Sequence, residues 1–156
     1  DIHRAFRLVR GMASKYQINP DMVGGIGFSA GADLVARCGL GTTSIQYPKQ
    51  DEADELRSVP DRMMIIYPGY LDQGPDKSLS PGLSVSEETV PTFIFQTMDD
   101  RIVLSAFALA RAMRDVGANA TLHLLPEGGH GYGMYPGNPA AEALPDLLAS
   151  WLDTHF

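Results

Sequence analysis

Residues 22–36 read MVGGIGFSAGADLVA, and the fold turns on how they are divided. Val23–Phe28 is a short apolar run with glycines, the pattern of a buried strand, and it passes without a gap into a segment that can be helical from about Ala30 to Cys38. Gly39 and Gly41 are the expected stop signals. A strand that turns straight into a helix leaves Ser29 on the corner, flanked as Gly27-Phe28-Ser29-Ala30-Gly31. Such a corner strains the serine's backbone, needs small neighbours and holds the hydroxyl clear of the chain. The helix behind it presents unpaired N–H groups where negative charge would develop, and the Ala30 N–H is the expected oxyanion donor.

Upstream, Ile2, Ala5, Phe6, Val9, Met12, Ala13 and Tyr16 recur at three- and four-residue steps. This predicts one helix over residues 1–16, with Arg4, Arg7, Arg10 and Lys15 on its polar face. Asn19-Pro20-Asp21 is turn chemistry. Downstream, residues 42–61 read as a polar loop with one helical turn at Asp51–Arg57. MMIIYPGY (63–70) is a strand buried on both faces, followed by a Gly/Pro/Ser loop from Leu71 to Val90. VPTFIFQ (90–96) is a strand, Leu104–Val116 a helix ended by Gly117, ATLHLLP (120–126) a strand and Ala140–His155 a helix. Pro145 should start that last helix late or kink it. Strands alternating with helices imply an α/β fold, one parallel sheet of about four strands flanked by helices, in a single domain over residues 1–156.

A serine hydroxyl needs a base to take its proton. Of the four histidines, His3 falls on the polar side of the first helix, His155 at the C-terminus and His123 within a strand. His130 stands in a glycine-rich loop, EGGHGYG (127–133), directly after the last strand, at the sheet edge where α/β sites lie. The third group should be a carboxylate that orients the imidazole, and Asp99 or Asp100 follows the preceding strand. Serine, aspartate and histidine thus each follow a separate strand in the order of a Ser-Asp-His hydrolase.

Competing patterns are weaker. Gly25-Ile26-Gly27-Phe28-Ser29-Ala30 has the spacing of a dinucleotide fingerprint, but Asp51 and Glu52, at the distance of the ribose-binding acid, follow no strand. Asp51-Glu52-Ala53-Asp54 spells a helicase motif without any phosphate-cradling loop upstream. Glu127 and His130 are the nearest approach to metal-ligand spacing, across two glycines, so neither a metal nor an organic cofactor is expected. The chain's 156 residues are 44% hydrophobic, too apolar for disorder, and no apolar run approaches the roughly 20 residues of a membrane span. Twelve Lys and Arg against nineteen Asp and Glu give a net charge of −7, which repels a phosphate backbone and disfavours nucleic acid as a partner. The lone Cys38 excludes an internal disulfide.

The chain resembles bacterial α/β-hydrolases of the acetyl-xylan-esterase and feruloyl-esterase-like group. The resemblance is carried by residues 1–36, YPKQDEADELRSVPDRMMIIYPGYL (47–71), VPTFIFQTMDDRIV (90–103) and EGGHGYG (127–133). It implies the fold, activity on small carboxylic esters such as acetylated carbohydrate, Ser29 as nucleophile and His130 as base. It also implies Asp100 as the acid, because the family's acid stands just before an x-[IV]-V stretch, here Arg101-Ile102-Val103; Asp99 is the second choice. A serine peptidase of the prolyl-oligopeptidase type, or a non-catalytic module with a vestigial triad, is the alternative.

The family carries further strands before the first helix, and a His-Gly-Gly-type loop that supplies a second oxyanion donor. A chain opening on Asp1 without these features reads as a truncated α/β-hydrolase. The elbow strand then loses its inner neighbour, and an apolar edge does not simply face water. The expectation is a homodimer through Val23–Phe28 or through the first helix.

Overall fold

The computed structural model describes residues 1–43 and 47–156; part of the loop expected over 42–61, at Ser44–Gln46, lies outside the described residues. Four strands form one parallel sheet in chain order: β1 (Gly24–Phe28), β2 (Arg62–Ile66), β3 (Thr92–Thr97) and β4 (Ala120–Leu125). The helices are α1 (Ile2–Gly11), the single turn α2 (Ala13–Tyr16), α3 (Ala30–Leu40), α4 (Leu104–Asp115) and α5 (Pro139–His155). A 3-10 turn at Glu52–Glu55 lies inside the expected helical turn.

The two central strands read as continuous apolar runs because both of their faces are covered. Met63, Ile65 and Ile94 point to α3 and α4, where they pack with Val35, Leu109 and Met113. Met64, Ile66, Phe93 and Phe95 point to the opposite face, against Leu144 and Trp151 of α5. Parallel β2 and β3 are joined without an α-helix; Leu79, Leu83, Val85 and Val90 of the connection instead pack on the first face. Among the described residues β1 is hydrogen-bonded to β2 alone, and its Ile26 is 45% exposed.

The amino-terminal helix departs from its expected form. It breaks at Met12, and Tyr16, counted in the apolar stripe, is exposed, whereas Arg7 and Arg10 of the supposed polar face are buried. The reason lies far away in sequence. Arg10 Nη2 meets Asp61 Oδ2 at 2.8 Å with both side chains almost fully buried, and Asp61 also accepts the Val23 N–H at 2.8 Å and pairs with Arg57. Arg4 bonds Asp51 twice, at 2.7 Å each, and Asp54 at 2.8 Å. The helicase-like Asp51–Asp54 run, which also holds the acids of the dinucleotide pattern, is therefore an anchor for α1.

Two smaller corrections concern helix ends. Gly39 lies within α3, and Gly41 alone ends it. Pro145 does not delay α5, which starts at Pro139 because Asn138 Oδ1 caps the amides of Ala140 and Ala141.

Removing Asp61 strands a buried guanidinium, so Asp61→Ala should destabilise the fold by about 3–5 kcal/mol in urea denaturation. Asp115→Ala, at the exposed Arg111 pair, should leave the midpoint in place. Equal midpoints for the two variants would contradict the anchoring role of Asp61.

Candidate active site

The carboxyl ends of β1, β3 and β4 bring Ser29, Asp100 and His130 together. Ser29 sits between β1 and α3 at φ 54° and ψ −118°, a conformation that L-residues rarely hold. The surroundings fix it. Ser29 N–H donates to Ile66 O at 3.0 Å, and Ser29 O accepts from the amides of Ala32, Asp33 and Gly69. Gly27 is required by space, since a Cβ there would stand 2.2 Å from Gly31 O. At Gly31 a Cβ would meet nothing within 4 Å, so the need for small neighbours holds on one side of the serine only. Ala30 opens α3, and first-turn amides of a helix have no intrahelical acceptor.

Ser29 Oγ lies 2.8 Å from His130 Nε2, and His130 Nδ1 lies 2.8 Å from Asp100 Oδ2. With the ring neutral, Nδ1–H donates to the carboxylate and Nε2 is left to accept the serine proton. The Asp100 side chain is fully buried, and its other oxygen accepts the Ile102 N–H at 3.0 Å. Both oxygens thereby have partners within the protein.

Asp99 has a different set of partners. Its carboxylate accepts the amides of Gly128 at 3.2 Å and Gly129 at 2.9 Å, tying the loop after β4 to the end of β3. Thr97 Oγ1 donates to Gly129 O at 2.8 Å and Asn138 Nδ2 to Gly128 O at 2.9 Å, so the loop's first turn is held from three sides. Gly128, at φ 150°, is also pressed between Ala140 and Thr97, either of which a Cβ would meet within 3 Å. The Gly129 amide, with further help from that of Gly128, holds the Asp99 carboxyl below its usual range.

One neighbour was not singled out from sequence. Tyr67, the first residue after β2, has φ 35° and packs edge-on to both His130 and Tyr132 at 5.1 and 4.5 Å between ring centroids. Its hydroxyl oxygen accepts the Gly133 N–H at 3.1 Å, and burial pushes its phenol pKa up. An aromatic at a strand's carboxyl end, beside a site built on strand ends, was the available signal. The remaining histidines stand elsewhere. His3 Nδ1 is near Ser58 O and Cys38, His123 packs against Phe93 and Phe95 with its pKa lowered by burial, and His155 stacks on Trp151.

No protein-family model matches the chain. It is 29% identical, over 177 aligned positions, to an acetylxylan esterase of Xylanibacter ruminicola, an alignment covering 97% of this chain and 34% of that protein. Among solved structures it is similar to an acetyl ester-xyloside bifunctional hydrolase of Caldicellulosiruptor lactoaceticus, with a TM-score of 0.82, 26% identity, and coverage of 98% of this chain and 64% of that one. The esterase Est2 of Thermogutta terrifontis has the same fold, with a TM-score of 0.82 at 20% identity, covering 99% of this chain and 63% of that one. The chain thus spans about a third of the curated relative and under two thirds of these structures. Its four-stranded parallel sheet is that of an α/β-hydrolase.

Because the Asp99 carboxyl is stabilised as its anion, its clamp on the loop is complete above the ordinary aspartate pKa and is lost as pH falls through the depressed value. Amide NMR shifts of Gly128 and Gly129 should therefore titrate with a midpoint below the 3.8 of an ordinary aspartate. A midpoint at or above 3.8 would contradict the clamp.

Proposed function

We propose that this chain with an α/β-hydrolase fold is a serine esterase acting on small carboxylic esters, acetyl esters of plant polysaccharide in particular. The observation that carries the reading is the continuous relay of Ser29, His130 and Asp100, with both contacts at 2.8 Å. Similarity to an acetylxylan esterase supports the choice of ester and carbohydrate.

The chemistry follows from the geometry. As Ser29 Oγ attacks the ester carbonyl, His130 Nε2 takes its proton, and buried Asp100 stabilises the imidazolium through Nδ1–H. The Ala30 N–H stabilises the oxyanion at the head of α3. The tetrahedral intermediate collapses as His130 returns the proton to the departing alcohol oxygen, leaving an acyl group on Ser29. Water, deprotonated by the same imidazole, then releases the acid and restores the serine. Relying on the Ala30 amide alone would forfeit about 10²–10³ in rate relative to a two-donor site. A fluorophosphonate probe, which needs an activated serine rather than fast turnover, is therefore the more sensitive test of whether the triad is functional or vestigial.

The chain should label at Ser29 with a fluorophosphonate and hydrolyse 4-nitrophenyl acetate. Ser29→Ala and His130→Ala should each abolish both, and the double variant should fall no further than either single one. Unchanged hydrolysis in Ser29→Ala, or folded protein that never labels, would overturn the proposal.

A further inference from the structure

The catalytic dyad opens onto a cavity of about 370 Å³ bounded by the loop after β2 and the turn before α4. This is at the small end of ligand pockets, which run from roughly 300 to 1,000 Å³. Its lining mixes apolar surface with several polar and charged side chains. Beside Ser29 and His130 it presents Tyr70, Asp72, Gln73, Lys77 and Arg101, with Ile102 among a few apolar contacts.

Asp72 is the most constrained of these polar groups. Its side chain is only 13% exposed, and Oδ1 accepts the Ser105 hydroxyl at 2.7 Å and the Gln73 Nε2 amide at 3.2 Å. Ser105 is itself fully buried and accepts the Leu71 N–H at 3.3 Å, so Asp72 is pinned from behind. The other oxygen, Oδ2, has a looser contact, with Lys77 Nζ at 3.5 Å on a side chain 63% exposed. Burial opposes the Asp72 charge, but the Ser105 hydroxyl and the Lys77 ammonium outweigh it and hold the carboxyl below its usual range. Tyr70, 61% exposed and at φ 61°, is an aromatic residue lining the same cavity.

An oriented carboxylate accepts hydrogen bonds from hydroxyls, and an aromatic face packs on the C–H face of a pyranose ring. Burying an aliphatic chain against the same carboxylate would strip its solvent without replacing the lost bonds. We propose that Asp72 is a specificity-determining residue whose outer oxygen Oδ2, held among the described residues only by the exposed Lys77, accepts a hydroxyl of the sugar ring carrying the ester, with Tyr70 as the ring's platform. The inference rests on the esterase reading and narrows it, since the site then selects esters of polyhydroxylated alcohols over esters of simple ones.

Two measurements test this, and they fail separately. In the active chain, the ratio of kcat/KM for a monoacetylated methyl xyloside to that for 4-nitrophenyl acetate should fall about tenfold or more in Asp72→Asn, which keeps an oxygen for Ser105 but loses the charge. In the Ser29→Ala background, which cannot turn substrate over, the Kd for the same acetylated xyloside by titration calorimetry should rise about tenfold or more when Asp72→Asn is added. Tyr70→Ala, at an exposed position that does not threaten folding, should weaken that binding about threefold or more. A chain that hydrolyses neither ester refutes the esterase reading, while the binding series still judges the pocket. A selectivity ratio and a Kd that both stay unchanged in Asp72→Asn, or a ratio held constant because both esters lose equally, would overturn the role of Asp72.

Discussion

Everything at the upper edge of the sheet is arranged around the backbone of Ser29. A residue held at φ 54° persists only where its surroundings over-determine it, and here both of its peptide groups are bonded across elements. Its N–H ends the β1–β2 ladder on Ile66, and its carbonyl gathers the first turn of α3 and the Gly69 amide beyond β2. The close approach at Gly27 lets strand and helix meet with no intervening loop. The hydroxyl therefore stands at one fixed point, to which the loops after β3 and β4 carry Asp100 and His130.

Two adjacent aspartates divide the work of reaching that point. Asp100 turns inward, buried and committed to His130 and Ile102, whereas Asp99 turns outward and fastens the glycine loop that carries the histidine. Tyr67 holds the far side of the same loop through the Gly133 amide. A glycine-rich loop would otherwise be free to sample many conformations, and these bonds confine the imidazole to hydrogen-bonding distance of the serine. The loop after β2 and the turn before α4 border the site and place Asp72, Gln73, Lys77 and Arg101 on a cavity beside Ser29 and His130.

Much of this was legible from local pattern. The strands announced themselves as apolar runs, α4 and α5 as periodic faces, and the corner at Ser29 as a strand meeting a helix through glycines. What was not legible depended on partners distant in the chain. Arg7 and Arg10 look like solvated charges until their distant partners are seen: the Leu56 carbonyl and Tyr47 hydroxyl for Arg7, and Asp61, 51 residues on, for Arg10. Asp99 and Asp100 are equivalent as sequence, and residue-type chemistry alone left both open; what separates them in the structure is the direction each takes as the chain leaves β3. Asp72 carries no motif, and its orientation comes from Ser105, 33 residues later. Gly39 and Pro145 carry local signals for a helix end and a late helix start, but α3 runs on to Leu40 and α5 already starts at the Asn138 cap.

The central claim is that Ser29, His130 and Asp100 act as one unit through a covalent intermediate. Acid-quenching the chain during turnover of 4-nitrophenyl acetate and mapping its peptides by mass spectrometry tests this directly. The account predicts an acetyl group on the peptide containing Ser29, located at that serine by fragmentation and missing in Asp100→Ala quenched at the same time. Turnover with Ser29 unmodified at every quench time, or acetylation at another residue, would contradict it.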